Sequence, residues 1–184
     1  MKEEARPVRD NPMLLPLIEV SLLPVTRAMR ATDRREVFAT RFDDDADALA
    51  RDLVAVSRFG AVIALGGRPV AAMGAMECWP GVWNVWLIAT EDWKLVARAT
   101  TRWARYALRT LLPEAGAHRC ECRSIADHRT AHRWLEHLGA RAEAMHPDFG
   151  RLRETFITFA WRFDHVRNPV GAETEGATAA TADR

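Results

Sequence analysis

The sequence predicts an α/β domain: a mixed, mostly antiparallel sheet with helices on both faces. Three observations carry this. Residues 61–77 hold two strand-like runs around Gly66-Gly67, a hairpin signal. A long amphipathic helix, Trp93 to Leu112, separates the apolar run Val82–Ala89 from the alternating run Ala117–Ile125. That strand-helix-strand order is a parallel crossover. A short helix over 128–138 and an alternating stretch, Arg151 to Phe163, close the domain.

The elements follow in order. Leu14 to Val20 is a short apolar run and reads as a first strand. Ser21 suits a helix cap and Pro24 suits a first turn, so one helix is expected to about Arg41. Its apolar stripe fails between Thr32 and Glu36. Asp43-Asp-Asp is a turn that favours the start of the next helix, where Ala46, Leu49, Leu53 and Val56 keep the 3.6 period. Ala61–Leu65 and Pro69–Glu77 form the hairpin, and Pro80-Gly81 turns the chain into Val82–Ala89. That strand is apolar on both faces, as a central strand must be. In the long helix Val96, Thr100, Trp103, Ala107 and Leu111 make the buried stripe, and Pro113 and Gly116 close it. The Arg151–Phe163 stretch reads as a final strand or strand pair.

The predicted organisation is a loose arm at 1–12, one domain at 13–165, and a disordered tail at 166–184 rich in Ala, Thr, Glu and Gly. An apolar fraction of 48% supports a core, and a net charge of +1 leaves any nucleic-acid or membrane attraction to a local patch. The first apolar run is interrupted by Pro16, Glu19 and Pro24, so no membrane span is expected there. Three cysteines make no disulfide framework and favour a reducing compartment. Trp79, Trp83, Trp86 and Trp93 cluster around one strand and could bury or display flat surfaces.

The stretch His128-Arg-Thr-Ala131-His-Arg-Trp134-Leu135-Glu-His-Leu138-Gly139-Ala140 is an amphipathic helix stopped by glycine. It resembles the last αβ unit of the GNAT acyltransferase fold, Asn-x-x-Ala-x-x-x-Tyr-x-x-Leu-Gly-Phe. Ala131, Leu138 and Gly139 fall in register, while His128, Leu135 and Ala140 stand at the Asn, Tyr and Phe positions. Met29-Arg30-Ala-Thr-Asp33-Arg-Arg-Glu36-Val37, the strand end Trp86-Leu-Ile-Ala-Thr90, and Arg133-Trp-Leu135 up to Leu138-Gly139 together resemble GNAT-like proteins of short-tailed, T7-like bacteriophages. Among these is an internal virion protein of the head–tail vertex. Locally, Arg30, Asp33 and Glu36 have the spacing of an ion-pair ladder.

The turn Thr90-Glu-Asp-Trp93-Lys-Leu-Val96 holds the position where the fold family binds the pyrophosphate of coenzyme A through glycine amides. Here the candidate contacts are the backbones of Trp93, Lys94, Leu95 and Val96. No glycine is present, and Glu91 and Asp92 stand where an anion would go. Lys94, Arg98, Arg102, Arg105 and Arg109 form a cationic ridge, the candidate partner-binding surface: a solvated face, or a dock for an acidic protein, nucleic-acid phosphates or a nucleotide 3′-phosphate. His118, Cys120 and Cys122 share a strand face, and His128 and His132 share a helix face. The Cys-x-Cys spacing is poor for zinc, and the two histidines, though one helical turn apart as in a zinc helix, lack the glutamate beside the first, so no metal is expected.

The resemblance with these departures implies a virion-associated structural protein with a degenerate acyl-CoA site and no cofactor. It would dock on other virion proteins, oligomerise within an assembly, and reside in the virion or the host cytoplasm. The alternative it implies is an acetyl-CoA-dependent N-acetyltransferase, with Glu77 or His132 taking the amine proton. A third reading is a host-interaction protein that uses the tryptophan cluster as its contact surface.

Overall fold

The computed structural model describes residues 11–163. Most of the predicted arm, the last two residues of the predicted domain and the predicted tail lie outside them. The elements are β1 (Met13–Pro16), α1 (Glu19–Arg27), α2 (Ala31–Phe38), α3 (Ala46–Val56), β2 (Phe59–Leu65), β3 (Arg68–Trp79), β4 (Val82–Ala89) and α4 (Trp93–Tyr106). A π-helical turn, Ala107–Leu111, leads from α4 into the one-turn α5 (Leu112–Glu114). Then come β5 (Arg119–Ile125), α6 (Arg129–His137), β6 (Arg141–His146) and β7 (Phe156–Arg162). The strands form one seven-stranded sheet in the order β1-β2-β3-β4-β5-β7-β6. Only β4–β5 is parallel.

Alternation along β2, β3 and β4 sends residues to two cores. Val62, Ala72 and Ile88 meet Leu22 and Val25 of α1 and Leu49 of α3 on one face. Ile63, Ala71 and Met73 meet Val96 and Ala104 of α4 on the other. That second layer continues through Trp83, Leu108, Leu112, Leu135 and Phe159. Burying side chains of this size is the main force holding the layers together, at roughly 1.5–3 kcal/mol each.

Several boundaries differ from the sequence expectation. The first strand ends at Pro16, and Val20 lies in α1. Ser21 is not the cap but the third residue of α1; its hydroxyl accepts from the Ile18 amide and donates to the Pro16 carbonyl. The single helix expected to Arg41 is two helices. Met29 makes a β-bridge with Thr90, and Arg30 is extended at ψ 147°, so the helix breaks between them. In α4 the buried stripe passes from Thr100 through Ala104 and Ala107 to Leu108 and Leu112 instead of Leu111. The π turn inserts one residue into the helical repeat and moves the stripe forward by one. The final strand pair is β6 with β7, and residues 151–155 connect them.

The feature that positions the site is a split in the middle of the sheet. β4 and β5 pair only where Val82–Asn84 lies beside Arg119–Glu121. Beyond Asn84 the strands part, and no ladder joins Val85–Ala89 to Cys122–Ile125.

Candidate active site

The split opens a cleft of about 460 Å³ that runs from one face of the sheet to the other. On the α4–α6 side its walls are apolar: Trp103, Ala104, Leu108, Ala131, Leu135 and Leu138, with Cys122. On the α1–α3 side it is lined by Arg30, Asp33, Glu36 and Arg41, with Leu49, Leu53, Trp86 and Phe149. Gly74 of β3 makes room for Trp86, since a Cβ there would lie 2.6 Å from the indole ring. The Trp86 Nε1–H donates to Ser57 Oγ at 3.0 Å, which fixes that wall.

α2 bridges the wide end of the split. Asp33 Oδ2 accepts the Ala89 amide at the end of β4, at 2.8 Å. One turn on, Glu36 Oε2 accepts the Ile125 amide and the Ser124 hydroxyl of β5, both at 2.8 Å. Residues three apart share a helix face, so a short helix presents one carboxylate to each strand. Asp33 is also held bidentate by Arg30, at 2.7 Å in its closest contact. Burial raises the Asp33 carboxyl above its ordinary value, against the opposing pull of Arg30 and the Ala89 amide. Arg30 in turn lies over the Trp93 ring at 5.3 Å. The ion-pair ladder expected from spacing stops at Arg30–Asp33, because Glu36 turns to β5 instead.

Glu36 Oε2 has a third partner, His128 Nδ1 at 3.1 Å. With Nδ1 as the donor, the neutral ring keeps a lone pair on Nε2. His128 lines the cleft. The Glu36 carboxylate raises the His128 pKa above 6.5, with burial opposing and with Asp33 and Arg30 acting in opposite senses. A raised base stabilises the fold fully below its unfolded value and loses that contribution as pH climbs through its folded value. The thermal midpoint is therefore expected to fall as pH rises above about 6.5, and His128→Asn is expected to flatten this stretch. Asp33 acts in the same sense but from 3.8 upward, so comparison with the variant isolates the histidine. Calorimetry from about pH 5.5 to about pH 9 checks this.

The β4–α4 turn carries Glu91 and Asp92 without a glycine, and no non-glycine residue in it has a positive φ. Asp92 pairs with Arg68, the first residue of β3, which draws its charge sideways. Lys94, Arg98 and Arg102 of α4 and Arg109 of the π turn are exposed and have no ion-pair partner among the described residues. Arg105 is half-buried with its guanidinium 2.6 Å from His137 Nε2 of α6. Trp134 donates to Thr101 Oγ1 at 3.0 Å and meets Trp93 edge-on, so α4 and α6 are locked together beside the cleft.

The structure separates the two candidate bases from the cleft. Glu77 sits at the outer end of β3, paired with Arg58 at 3.0 Å. His132 faces the Ile125 carbonyl at 3.0 Å and packs on Phe159. Neither lines the cavity. Glu36 and His128 do, and spacing could not join residues so distant in the chain; the departure at His128 from the Asn of the family pattern was the available signal. Leu135 is buried in the wall, and Trp134 and Leu138 flank it as half-buried lining. Tyr106, the chain's one tyrosine, is half-exposed and outside the cleft. Of the tryptophan cluster, Trp83 is fully buried and Trp79 is the exposed member. Burial pushes the Cys120 and Cys122 thiols up to about 12. Among the described residues no three His, Cys, Asp or Glu side chains are grouped to hold a metal, and no helix is long and apolar enough to cross a membrane.

No family model and no curated protein matches this chain. Solved structures do. The ribosomal-protein-S18-alanine N-acetyltransferase from Escherichia coli superposes with a TM-score of 0.64 at 13% identity, over 88% of this chain and 99% of that one. Ard1 from Thermoplasma volcanium gives 0.64 at 14%, over 82% and 97%. An acetyltransferase of the GNAT family from Bacillus anthracis gives 0.60 at 11%, over 84% and 96%. The chain has the GNAT fold.

Proposed function

We propose that this chain is an acyl-CoA-dependent N-acyltransferase whose proton acceptor is His128, positioned by Glu36. The observation that carries the reading is the single cleft with an apolar passage on one side of the sheet and an Asp33–Glu36–His128 cluster on the other. Coenzyme A would supply an acyl group as a thioester. The residues present fit it. Beyond Asn84 the edge of β4 is free of β5, so an extended amide chain has backbone to pair with. Trp103, Ala104, Leu135 and Leu138 exclude water along it. Lys94, Arg98 and Arg102 offer charge to phosphates beside the β4–α4 turn, and Arg68 offsets Asp92 there.

The chain's own part is positioning and one proton transfer. Glu36 takes the Nδ1 proton as a hydrogen bond and leaves Nε2 to receive a proton from an attacking amine. A raised histidine is suited to this near neutral pH. No tyrosine lines the cleft among the described residues, and Cys122, kept protonated by burial, is a neutral proton donor on the wall.

The reading as a virion packing module is favoured by Leu135 and by the glycine-free turn, while the solved structures named above are acetyltransferases or Ard1 and not virion proteins. Calorimetric titration with coenzyme A separates the two. The acyltransferase reading expects saturable binding in the micromolar range, weakened by charge reversal at Arg98 and Arg102 and by rising salt. Absence of binding at millimolar ligand overturns it and leaves the structural role.

A further inference from the structure

The acceptor end of the cleft holds cations that proton transfer does not use. Arg41, in the turn after α2, lines the cavity. Its Nη2 reaches Asp52 of α3 at 2.6 Å, but its Nε is buried with no hydrogen-bond partner among the described residues. A buried guanidinium N–H without an acceptor is costly and marks a place where an acceptor belongs. Arg123 of β5, also on the lining, lies over the Phe149 ring at 5.5 Å, and among the described residues its Nη2 has one long contact, to Glu121 at 3.4 Å. Both arginines line the same cavity as Glu36. The same lining carries the apolar side chains of Val37, Leu49, Leu53 and Trp86.

From this juxtaposition, and resting on the acyltransferase reading, we infer that the acyl acceptor is a free amino acid with an apolar side chain, its amine set toward His128 and its carboxylate bound by Arg41 with Arg123. In the reaction the thioester C–S bond breaks and an amide C–N bond forms. The ammonium loses one proton to solvent before attack and one to His128 Nε2 during it. The departing sulfur takes a proton from the Cys122 thiol, and the proton on His128 returns to Cys122 through solvent, so both residues are restored and one proton is released overall. A guanidinium suits the far end because it meets a carboxylate through two parallel N–H groups. A peptide N-terminus has no carboxylate near its amine and offers the guanidinium a single neutral carbonyl in its place.

The test uses the intact chain and needs no variant at first. Thiol release from acetyl-CoA is followed with leucine, methionine and phenylalanine, each against its own amide. The amides have the more nucleophilic amine at neutral pH, so chemistry alone favours them. The inference expects the free acids to be preferred by roughly tenfold or more in kcat/KM, the scale of one charged hydrogen bond. Arg41→Gln is expected to collapse the acid-to-amide ratio toward one, chiefly through KM, and Arg41→Lys to retain part of it. Binding of N-acetyl-leucine against N-acetyl-leucinamide, by calorimetry without coenzyme A, gives a readout independent of turnover and should show the same ratio. If coenzyme A binds but the amides are used as well as the acids, or N-acetyl-leucine does not bind, the acceptor class is wrong and the acyltransferase reading stands. If coenzyme A neither binds nor is turned over, that reading fails and this inference fails with it.

Discussion

Asp33→Ala is expected to lower the free energy of unfolding by about 3–5 kcal/mol, as removal of one member of a buried ion pair does. The Arg30 guanidinium would be left with a side chain only 16% exposed and no counter-charge. The Ala89 amide would lose its acceptor at the end of a central strand. Asp33→Asn keeps an acceptor for that amide but leaves the arginine unbalanced, so its cost should be smaller, about 1–3 kcal/mol. Urea unfolding of the three proteins measures both. A loss below about 1 kcal/mol for the alanine variant would mean that water takes over both contacts.

The second large effect is on turnover. His128→Ala is expected to reduce kcat/KM by roughly 10²–10⁴, the range a positioned general base contributes. Glu36→Gln acts through the histidine. Because the carboxylate raises His128, its removal should move the acid limb of the kcat/KM profile to lower pH, where the ring is already deprotonated. A merely structural role for Glu36 would change the rate without moving that limb. Activity in His128→Ala within tenfold of the parent would remove the histidine from the mechanism.

Much of the scaffold was legible because burial imposes a period. The β2–β3 hairpin, the central β4 and the α4–β5–α6 crossover each bury one or two faces, and the pattern shows it. What escaped is what burial does not write. β6 is exposed along almost its whole length, so Arg141-Ala-Glu-Ala-Met-His146 has no row of large apolar residues to mark a buried face and is held by its backbone ladder to β7. The break between α1 and α2 comes from a bridge to Thr90, far along the chain. The extra residue of the π turn shifts a stripe without changing composition. The same reason hid the site. Arg30, Asp33 and Glu36 read locally as a ladder along one helix, whereas both of its carboxylates reach strands more than fifty residues away. The resemblance located the fold and the missing tyrosine; the sheet's split chose which carboxylate and which histidine meet.

The bridge made by α2 has a mechanical meaning. The lips of the cleft are tied to two side chains one helical turn apart, so the gap is gauged by the pitch of a helix. Inserting a single residue between Asp33 and Glu36 would rotate the second carboxylate by about 100° and release one lip while keeping the other. The Ala89 and Ile125 amides, on strands that do not pair there, are thereby made reporters of one event. In hydrogen exchange they should open together, at the rate at which α2 lifts from the sheet.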